Sequence, residues 1–195
     1  MFRKDIVIAL ICGLILLSGC VTDGSKKGGA TNATNPVTKA IQKREATSEL
    51  AERLYSRFHA NPATQAQKDE NALIDYAVDK NLDAVRTASG LYYVIHKEGV
   101  GKKYIHGQPL SAHYQGYFLD GKVFDSSYKR GVPITFNVGQ MVPGWNEALK
   151  LMNSGTKAQL LIPSSLAYGD RGFAGFVPPN TPLIFDLETL PLGSK

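Results

Sequence analysis

The stretch FNVGQMVPGW, residues 136–145, decides the fold that we predict for this chain. It contains the only tryptophan, Trp145, which follows a Pro-Gly turn and begins a helical pattern over residues 145–152. A large aromatic side chain in the first turn of a short helix can form the floor of a pocket. Further apolar residues lie within this stretch and on either side of it, and by themselves they predict an ordinary hydrophobic core: Tyr114, Phe124, Phe136, Met141, Val142, Tyr168, Phe173, Phe176, Val177 and Phe185.

The segments on either side of this stretch have the two-residue periodicity of β-strands. The pattern predicts strands at residues 91–97, 109–119, 134–138, 156–163 and 182–190, with glycines between several of them. Five to six strands and one short helix predict an α+β fold. In this fold a curved antiparallel sheet wraps around the helix after Trp145 and buries one of its faces there.

Two amphipathic helical patterns precede the strands. The first covers residues 38–60, and the second begins at a capping box formed by Thr64 and Gln67. Each carries an apolar stripe, with Leu50, Leu54 and Phe58 among the members of the first and Leu73, Ile74, Ala77, Val78 and Leu82 in the second. Because isolated helices of this length are marginal in water, each stripe needs a partner. Three partners remain open: the other stripe, the strand-rich domain, and a second subunit in a homodimer.

The N-terminus has the pattern of a bacterial lipoprotein signal peptide. Arg3 and Lys4 precede a twelve-residue apolar run, residues 6–17, which is too short for an ordinary membrane span. The sequence LSGC, residues 17–20, resembles a lipoprotein box and predicts lipidation of Cys20. A plain signal peptide and a short anchor are the alternatives. The predicted location is the bacterial cell envelope, with a lipid anchor at the periplasmic face or in the outer membrane.

These patterns divide the chain into four segments. They are a signal peptide (residues 1–19), a lipidated cysteine with a flexible tether (20–36), a helical N-terminal segment (37–86) and a strand-rich domain (87–195). The tether is rich in Gly, Ser, Thr and Asn, which have little apolar surface to bury. The helical N-terminal segment carries two apolar stripes but no candidate catalytic group, so we expect the chemistry to belong to residues 87–195.

Composition excludes several classes of function. The chain is 43% hydrophobic and 20% charged with a net charge of +5, and it has no basic run longer than two lysines, so nothing indicates nucleic-acid binding. Both cysteines lie within the first 20 residues, which leaves none for a disulfide, a zinc site or a nucleophile in the folded part. The four histidines have no metal-ligand spacing. We therefore expect no metal and no cofactor.

The order of short motifs along the second half of the chain resembles one protein family. They are HYQGY (113–117), DGKVFDSS (120–127), VPGW (142–145), LIP (161–163), LAYG (166–169), VPPN (177–180) and FDLE (185–188). Each motif is weak alone, but their order and spacing are similar to those of the FKBP-type peptidyl-prolyl cis-trans isomerase domain, from about residue 90 to 190. The preceding helices resemble those of two-part bacterial members of the macrophage infectivity potentiator type, although they are shorter.

The resemblance implies a peptidyl-prolyl isomerase that assists the folding of secreted or envelope proteins. Its partners would be unfolded or proline-containing polypeptides, macrolide inhibitors and, through the lipid anchor, the membrane. The implied catalytic residues are Asp125, Tyr168, Phe124 and Trp145. The implied substrate-binding residues are Tyr114, Phe136, Met141, Val142, Phe173, Phe176, Val177 and Phe185.

The polar roles within this set are also implied by the resemblance. Tyr168 would donate its hydroxyl to a substrate carbonyl, the Val142 N–H would be a second donor, and Asp125 would orient or polarise the reacting amide. From its sequence context alone, Asp125 is better explained as a turn residue in an Asp-Ser-Ser segment, and only the resemblance favours a role in the site. The alternative functions are a chaperone that holds proline-containing segments and a scaffold lipoprotein with little turnover.

Overall fold

The computed structural model of the protein describes residues 36–190. The predicted signal peptide, Cys20 and the tether up to residue 35 lie outside the described residues, as do residues 191–195. The first two elements are helices, α1 (Pro36–Tyr55) and α2 (Gln65–Asp79). Within residues 36–190, no helix combines the length and the apolar character that a membrane crossing requires.

The predicted capping box is present at the start of α2. Thr64 accepts a hydrogen bond from the Gln67 N–H at 3.3 Å, and the Gln67 side chain accepts one from the Thr64 N–H at 3.1 Å. Helix α1 ends five residues before the predicted end at residue 60. After Tyr55 the backbone tightens, because the Arg57 and Phe58 N–H groups donate to carbonyls three residues back. The Asn71 side chain then accepts from the His59 N–H and donates to the His59 carbonyl, at 2.8 Å each.

The strands form one antiparallel sheet with three short helical segments between them. The strands are β1 (Val85–Arg86), β2 (Tyr92–Lys97), β3 (Pro109–Tyr117), β4 (Val123–Ser126), β5 (Ile134–Asn137), β6 (Lys157–Ile162) and β7 (Leu183–Leu190). Helix α3 (Ser127–Arg130) follows β4, α4 (Pro143–Leu149) follows β5, and a 3₁₀ turn (Ser164–Leu166) follows β6. The sheet order is β1-β2-β6-β7-β3-β4, and β5 pairs with the first half of β3.

The α+β fold with preceding helices is therefore confirmed, and residues 36–190 contain seven strands where five to six were predicted. The unpredicted strands are β1, which has two residues, and β4, which has four. Neither is long enough to show a period in the sequence, and each exists because a longer neighbour pairs with it. Helix α3 was also not predicted, and its four residues are held by a Ser126 cap and end at the left-handed Gly131.

The sheet has two buried faces, an inner face covered by α4 and an outer face covered by α2 and α1. The inner face packs against α4, and its core includes Leu110, Leu160, Leu183 and Trp145. The outer face carries Tyr92, Tyr117, Leu161 and Ile184, which pack against Leu73, Ile74 and Ala77 of α2 and Leu54 of α1. This double coverage explains why consecutive residues of β6 and β7 are both buried, since strands covered on both faces read as continuous apolar runs.

The packing of α2 decides between the partners left open for its stripe. Leu73, Ile74 and Ala77 are fully buried against the sheet. Burying a leucine or isoleucine side chain contributes roughly 1.5–3 kcal/mol, so this contact alone accounts for the stability of a helix of this length. The stripe of α2 thus covers the strand-rich domain, and the helices and the sheet belong to one unit, Val37–Lys195.

Candidate active site

The site is built around Trp145, which is 1% exposed at the start of α4. Helix α4 begins at Pro143, a residue suited to the first helical turn because its missing N–H would have no partner there. Gly144 allows the helix to approach the sheet, since a Cβ atom at this position would lie 2.7 Å from Ile162 Cγ2 of β6. The indole ring is thereby held against the inner face of the sheet.

Aromatic side chains from three strands surround the indole ring. Tyr114 of β3 and Phe185 of β7 each meet it edge to face, at centroid distances of 5.3 Å, and Phe136 of β5 lies at 5.9 Å. Such edge-to-face pairs are favourable because the positive ring edge meets the negative ring face. Phe136 is only partly buried, so it forms a wall whose outer part is in contact with solvent.

A second group of rings extends this wall along the sheet. Phe124 of β4 contacts Phe185 edge to face at 5.7 Å. The two rings meet above Gly116, where a Cβ atom would lie 2.7 Å from both of them, so glycine is needed at this position of β3. Met141 and Val142, immediately before α4, are partly buried against the same core. The structure therefore brings together the predicted floor and walls.

Asp125, at the third residue of β4, is the acidic group of the site. It accepts hydrogen bonds from the Tyr114 hydroxyl and from the Arg130 guanidinium. Arg130 also donates to the Tyr114 oxygen at 2.9 Å and lies over the Tyr114 ring at 5.5 Å. Burial acts to raise the pKa of Asp125, but the Tyr114 hydrogen bond and the Arg130 charge outweigh it and lower that pKa.

Tyr168 lies in the segment after the 3₁₀ turn and begins a stack of three aromatic rings. Its ring is 5.3 Å from that of Phe173, which is 5.2 Å from Phe176. Burial, and then the charge of Asp125, raise the pKa of the Tyr168 hydroxyl, which makes it a neutral donor at physiological pH. Among residues 36–190 no hydrogen-bond partner is present for this hydroxyl.

Two further donors of the site have no acceptor in the described part of the chain. The Val142 N–H, one residue before α4, makes no backbone or side-chain hydrogen bond there. The Trp145 indole Nε1 is buried and has no partner within residues 36–190. The indole N–H is too deeply buried for a ligand to reach, whereas the Val142 N–H belongs to a partly exposed residue beside the apolar box and is free to donate to a ligand carbonyl.

The predicted substrate-binding residues of the loop after Tyr168 divide into two groups. Phe173 and Phe176 are 49% and 58% exposed, and they form the outer edge of the site. Val177 is 5% exposed and belongs to the inner core, where its backbone pairs with that of Phe173. Its side chain therefore supports the loop from below. No cluster of metal-ligating residues is found in the described range 36–190.

The chain is similar in sequence and in fold to known proteins. Residues 101–190 match the family described as FKBP-type peptidyl-prolyl cis-trans isomerase. The crystal structure of FkpA from Escherichia coli superposes with a TM-score of 0.59 at 30% sequence identity, covering 83% of this chain and 74% of that one. The chain belongs to the FKBP-type isomerase family. The crystal structure of AtFKBP13 gives a TM-score of 0.53 at 39% identity, with 55% and 97% covered.

Likeness to individual family members extends beyond the strands. The FkpA isomerase of Aeromonas hydrophila is 36% identical over 176 residues, which are 90% of this chain and 63% of that protein. FkpA of Escherichia coli K12 is 43% identical over 107 residues, 54% of this chain and 39% of that protein. The chain thus spans less than two thirds of the length of these curated relatives. Family membership agrees with the resemblance found in the motif order.

Two residues of the site were not predicted from the sequence. Arg130 pairs with Asp125, and Phe118 packs on Phe124 at 5.3 Å. A sequence signal for Arg130 exists. It lies five positions after Asp125, and the Ser-capped turn between them brings its side chain back to the carboxylate. Phe118 lies one residue beyond β3 but within the strand predicted at residues 109–119, so alternation from Tyr114 and Gly116 was a signal that could have placed it on the inner face.

Proposed function

We propose that this protein is a peptidyl-prolyl cis-trans isomerase that binds the proline ring of a polypeptide on Trp145. The observation that supports this most directly is the partly open aromatic box beside two donors without acceptors, the Tyr168 hydroxyl and the Val142 N–H. A proline ring is compact, apolar and without an N–H, so it matches an apolar floor. The carbonyl groups flanking it match the donors at the rim.

The reaction requires no bond cleavage and no proton transfer. Rotation about an X–Pro amide is slow because it disrupts amide resonance at a cost of 18–20 kcal/mol. In the twisted state the carbonyl is less polar, and a water-poor aromatic box favours that state over the planar one. A ten-thousandfold acceleration requires about 5.4 kcal/mol, which an apolar box and two hydrogen bonds can supply.

Each polar residue has one role in this proposal. Tyr168 donates to the carbonyl of the residue that precedes proline or of a neighbouring peptide, and the Val142 N–H donates to a second carbonyl. In its ionised form Asp125 can only accept hydrogen bonds, so it cannot polarise a substrate carbonyl by donating one. Its lowered pKa and its bonds to Tyr114 and Arg130 fit a role in orienting the wall and the reacting amide.

The test is turnover of Xaa-Pro tetrapeptides by purified residues 21–195, with and without a macrolide inhibitor. We expect rapid isomerisation that the macrolide blocks by occupying the box. Tyr168→Phe removes only a hydroxyl and should lower kcat/KM without a change in melting temperature. Absence of turnover in the wild-type chain would refute the proposal.

A holding function is the second candidate, and one observation favours it. Phe173 and Phe176 expose a stacked apolar edge that could bind chain segments without turning them over. A chaperone or scaffold lipoprotein of this kind would suppress aggregation of an unfolded client as well in a Tyr168→Phe variant as in the wild type. If the protein is an isomerase, wild type should accelerate proline-limited refolding and Tyr168→Phe should lose that acceleration. If it only holds chain segments, neither form should accelerate refolding, although both suppress aggregation.

We also propose where the protein acts and how it is divided. The motif at residues 17–20 supports a lipid anchor on Cys20 in the bacterial envelope, followed by a tether to residue 36, a helical segment to residue 86 and the isomerase domain at residues 87–195. Cys20→Ser should abolish incorporation of labelled fatty acid, and unchanged labelling would refute the anchor. Tyr55 and Val85 are exposed near α1 and support a homodimer through this region, which sedimentation would test.

A further inference from the structure

Helix α2 presents a buried carboxylate to the loop that carries Tyr168. Asp69 is 2% exposed. One of its oxygens accepts from the Ser164 N–H at 2.8 Å and from the Ser164 hydroxyl at 2.5 Å, and the other accepts from the Gln65 amide at 2.7 Å. A buried carboxylate is costly without donors, and here both oxygens have them. The contact joins residues that are 95 positions apart in the chain.

Ser164 in turn holds the two neighbours of Tyr168. Its carbonyl oxygen accepts from the Ala167 N–H at 3.0 Å and from the Gly169 N–H at 2.8 Å. The backbone on both sides of Tyr168 is therefore bonded to one residue. That residue is itself fixed to α2 by two hydrogen bonds from its own N–H and hydroxyl.

The same helix also holds the far end of the aromatic loop. The Gly169 carbonyl accepts from the Asn180 N–H at 2.8 Å, which closes residues 169–180 into a loop with adjacent ends. The Asn180 carbonyl accepts from the Gln65 amide at 3.3 Å, and Asn180 has the left-handed φ of +53°. Gln65 and Asp69 are four residues apart and therefore lie on the same side of α2. Together they contact both ends of the loop that forms the rim of the site.

We propose that Asp69 is a positioning residue of the isomerase site and that α2 is a structural part of that site. It acts through Ser164, which sets the position of the Tyr168 hydroxyl relative to Trp145 and Asp125. This inference rests on the proposed function in one respect, the use of Tyr168 as a donor to substrate. The network from α2 to the loop does not depend on that use.

The expected effect on turnover is large for a residue that does not touch substrate. A displacement of about 1 Å in a positioning group can cost about a hundredfold in rate. Asp69→Ala removes every acceptor that Ser164 uses on α2, so we expect kcat/KM for tetrapeptides to fall at least tenfold. Asp69→Asn keeps a carbonyl oxygen for Ser164. The Gln65 amide can turn to accept from the new N–H₂, which gives up only its long 3.3 Å bond to the Asn180 carbonyl and leaves the route through Ser164 in place. That variant should remain within threefold of the wild type.

Asn71→Ala is the matched control. Asn71 is also buried on α2 and also makes two hydrogen bonds, but to His59 in the turn after α1. It should lower the melting temperature as Asp69→Ala does, while kcat/KM measured well below that temperature stays within twofold. An equal loss of turnover in both variants would overturn the proposal, because it would show a general effect of loosening α2.

A double-variant cycle separates positioning of Tyr168 from other effects. In a Tyr168→Phe background, Asp69→Ala should cost less than threefold, since the hydroxyl that it positions is already gone. A second full tenfold loss would overturn the proposed route through Tyr168. All variants are prepared in residues 21–195.

Hydrogen exchange gives a readout that does not require turnover. The Ala167 and Gly169 amides should exchange at least tenfold faster in Asp69→Ala and at the wild-type rate in Asn71→Ala, because only the first releases Ser164. Unchanged exchange in Asp69→Ala would overturn the positioning role even in an active enzyme. If the wild-type chain shows no turnover, the proposed function fails, and the exchange result alone decides whether α2 holds the loop.

Discussion

Two clusters, each built from a tyrosine, an arginine and a carboxylate, lie on opposite faces of the sheet. On the inner face, Tyr114 and Arg130 donate to Asp125, and on the outer face Tyr92 and Arg86 donate to Glu70. In each cluster the guanidinium also lies over the tyrosine ring, at 5.5 Å and 6.0 Å respectively. Both carboxyl groups have a lowered pKa, because hydrogen bonds and a cation outweigh the opposing effect of burial.

The clusters differ in what lies beside them. Glu70 belongs to α2, its side chain is 16% exposed, and it joins the helix to β1 and β2. Asp125 is 39% exposed and borders the aromatic box, where donors without acceptors are available. A tyrosine, a carboxylate and an arginine are thus used once to dock a helix and once at a candidate catalytic surface. The composition of such a cluster does not reveal its role, whereas its position next to an open apolar surface does.

The strongest test of this comparison removes the apolar floor that only the inner cluster has. Trp145→Ala deletes a fully buried indole, and such changes cost about 3–5 kcal/mol of unfolding free energy. Turnover should fall more than a hundredfold even in the folded fraction, because the proline ring loses its surface. Chemical denaturation and tetrapeptide kinetics on the same samples measure the two effects.

Leu73→Ala on the outer face provides the control for this variant. Leu73 is also fully buried, and its truncation should cost about 2–5 kcal/mol. Because it does not line the box, kcat/KM of the folded protein should stay within about threefold, a difference of roughly 0.65 kcal/mol. A hundredfold loss in both variants would mean that the box depends on packing throughout the molecule.

The second prediction breaks the outer cluster. Glu70→Ala leaves Arg86 and the Tyr92 hydroxyl without their acceptor on α2. Removing one partner of a fully buried pair costs 3–5 kcal/mol, and because these side chains keep some contact with water we expect about 2–3 kcal/mol. Turnover should change less than twofold. A tenfold loss of kcat/KM at unchanged stability would assign the outer cluster a role in catalysis.

The third prediction breaks the inner cluster in the same way. Asp125→Ala should lower kcat/KM at least tenfold, equivalent to about 1.4 kcal/mol, because Tyr114 and Arg130 lose the group that orients them. The loss of stability should stay below about 1 kcal/mol, as for other solvent-exposed ion pairs. The order of the two effects is therefore the reverse of that in Glu70→Ala. Equal turnover in Asp125→Ala and wild type would remove Asp125 from the proposed mechanism.

Much of the inner face could be predicted from the sequence because its residues lie in ordered motifs. Trp145 follows a turn signal, and the strands that supply its walls alternate clearly. The capping box at Thr64 was found for the same reason, since its partners are three residues apart. Interactions that are local in sequence leave a local pattern.

The contacts of α2 could not be predicted because they are not local. Asp69 meets Ser164 across 95 residues, and a buried carboxylate in a helix looks like any solvated one in the sequence. Consecutive apolar residues such as Leu160-Leu161 are typical of a strand buried on both faces. The sequence patterns nevertheless predicted a sheet with one buried face, because nothing local in the sequence shows that α2 and α1 cover the other. The expectation that all the chemistry belongs to residues 87–195 followed from this gap, and the Asp69 network is our reason to revise it.

The two clusters make a final prediction about pH. Each carboxyl group has a folded-state pKa below its unfolded value, so each contributes stability that is present above the unfolded pKa of about 4 and is lost as pH falls through the folded one. Unfolding free energy should therefore decrease on acidification below about pH 5. Because the Glu70 side chain is less exposed than that of Asp125, its interactions are less screened by water, and its share of the decrease should be the larger.

Comparison of Glu70→Gln and Asp125→Asn measures these shares. Denaturation curves at several pH values between about 2 and 7 should show a weaker acid dependence in Glu70→Gln than in wild type, with a smaller change in Asp125→Asn. The acid dependence of turnover should instead follow the ionisation of Asp125 and not that of Glu70. It should be flat from about pH 6 to 8, since no proposed catalytic group titrates there, and fall only on protonation of Asp125 at a pH below about 4. That acid limb should persist in Glu70→Gln and disappear in Asp125→Asn, and an inflection of the wild-type rate near pH 6.5 would instead require a histidine in the mechanism.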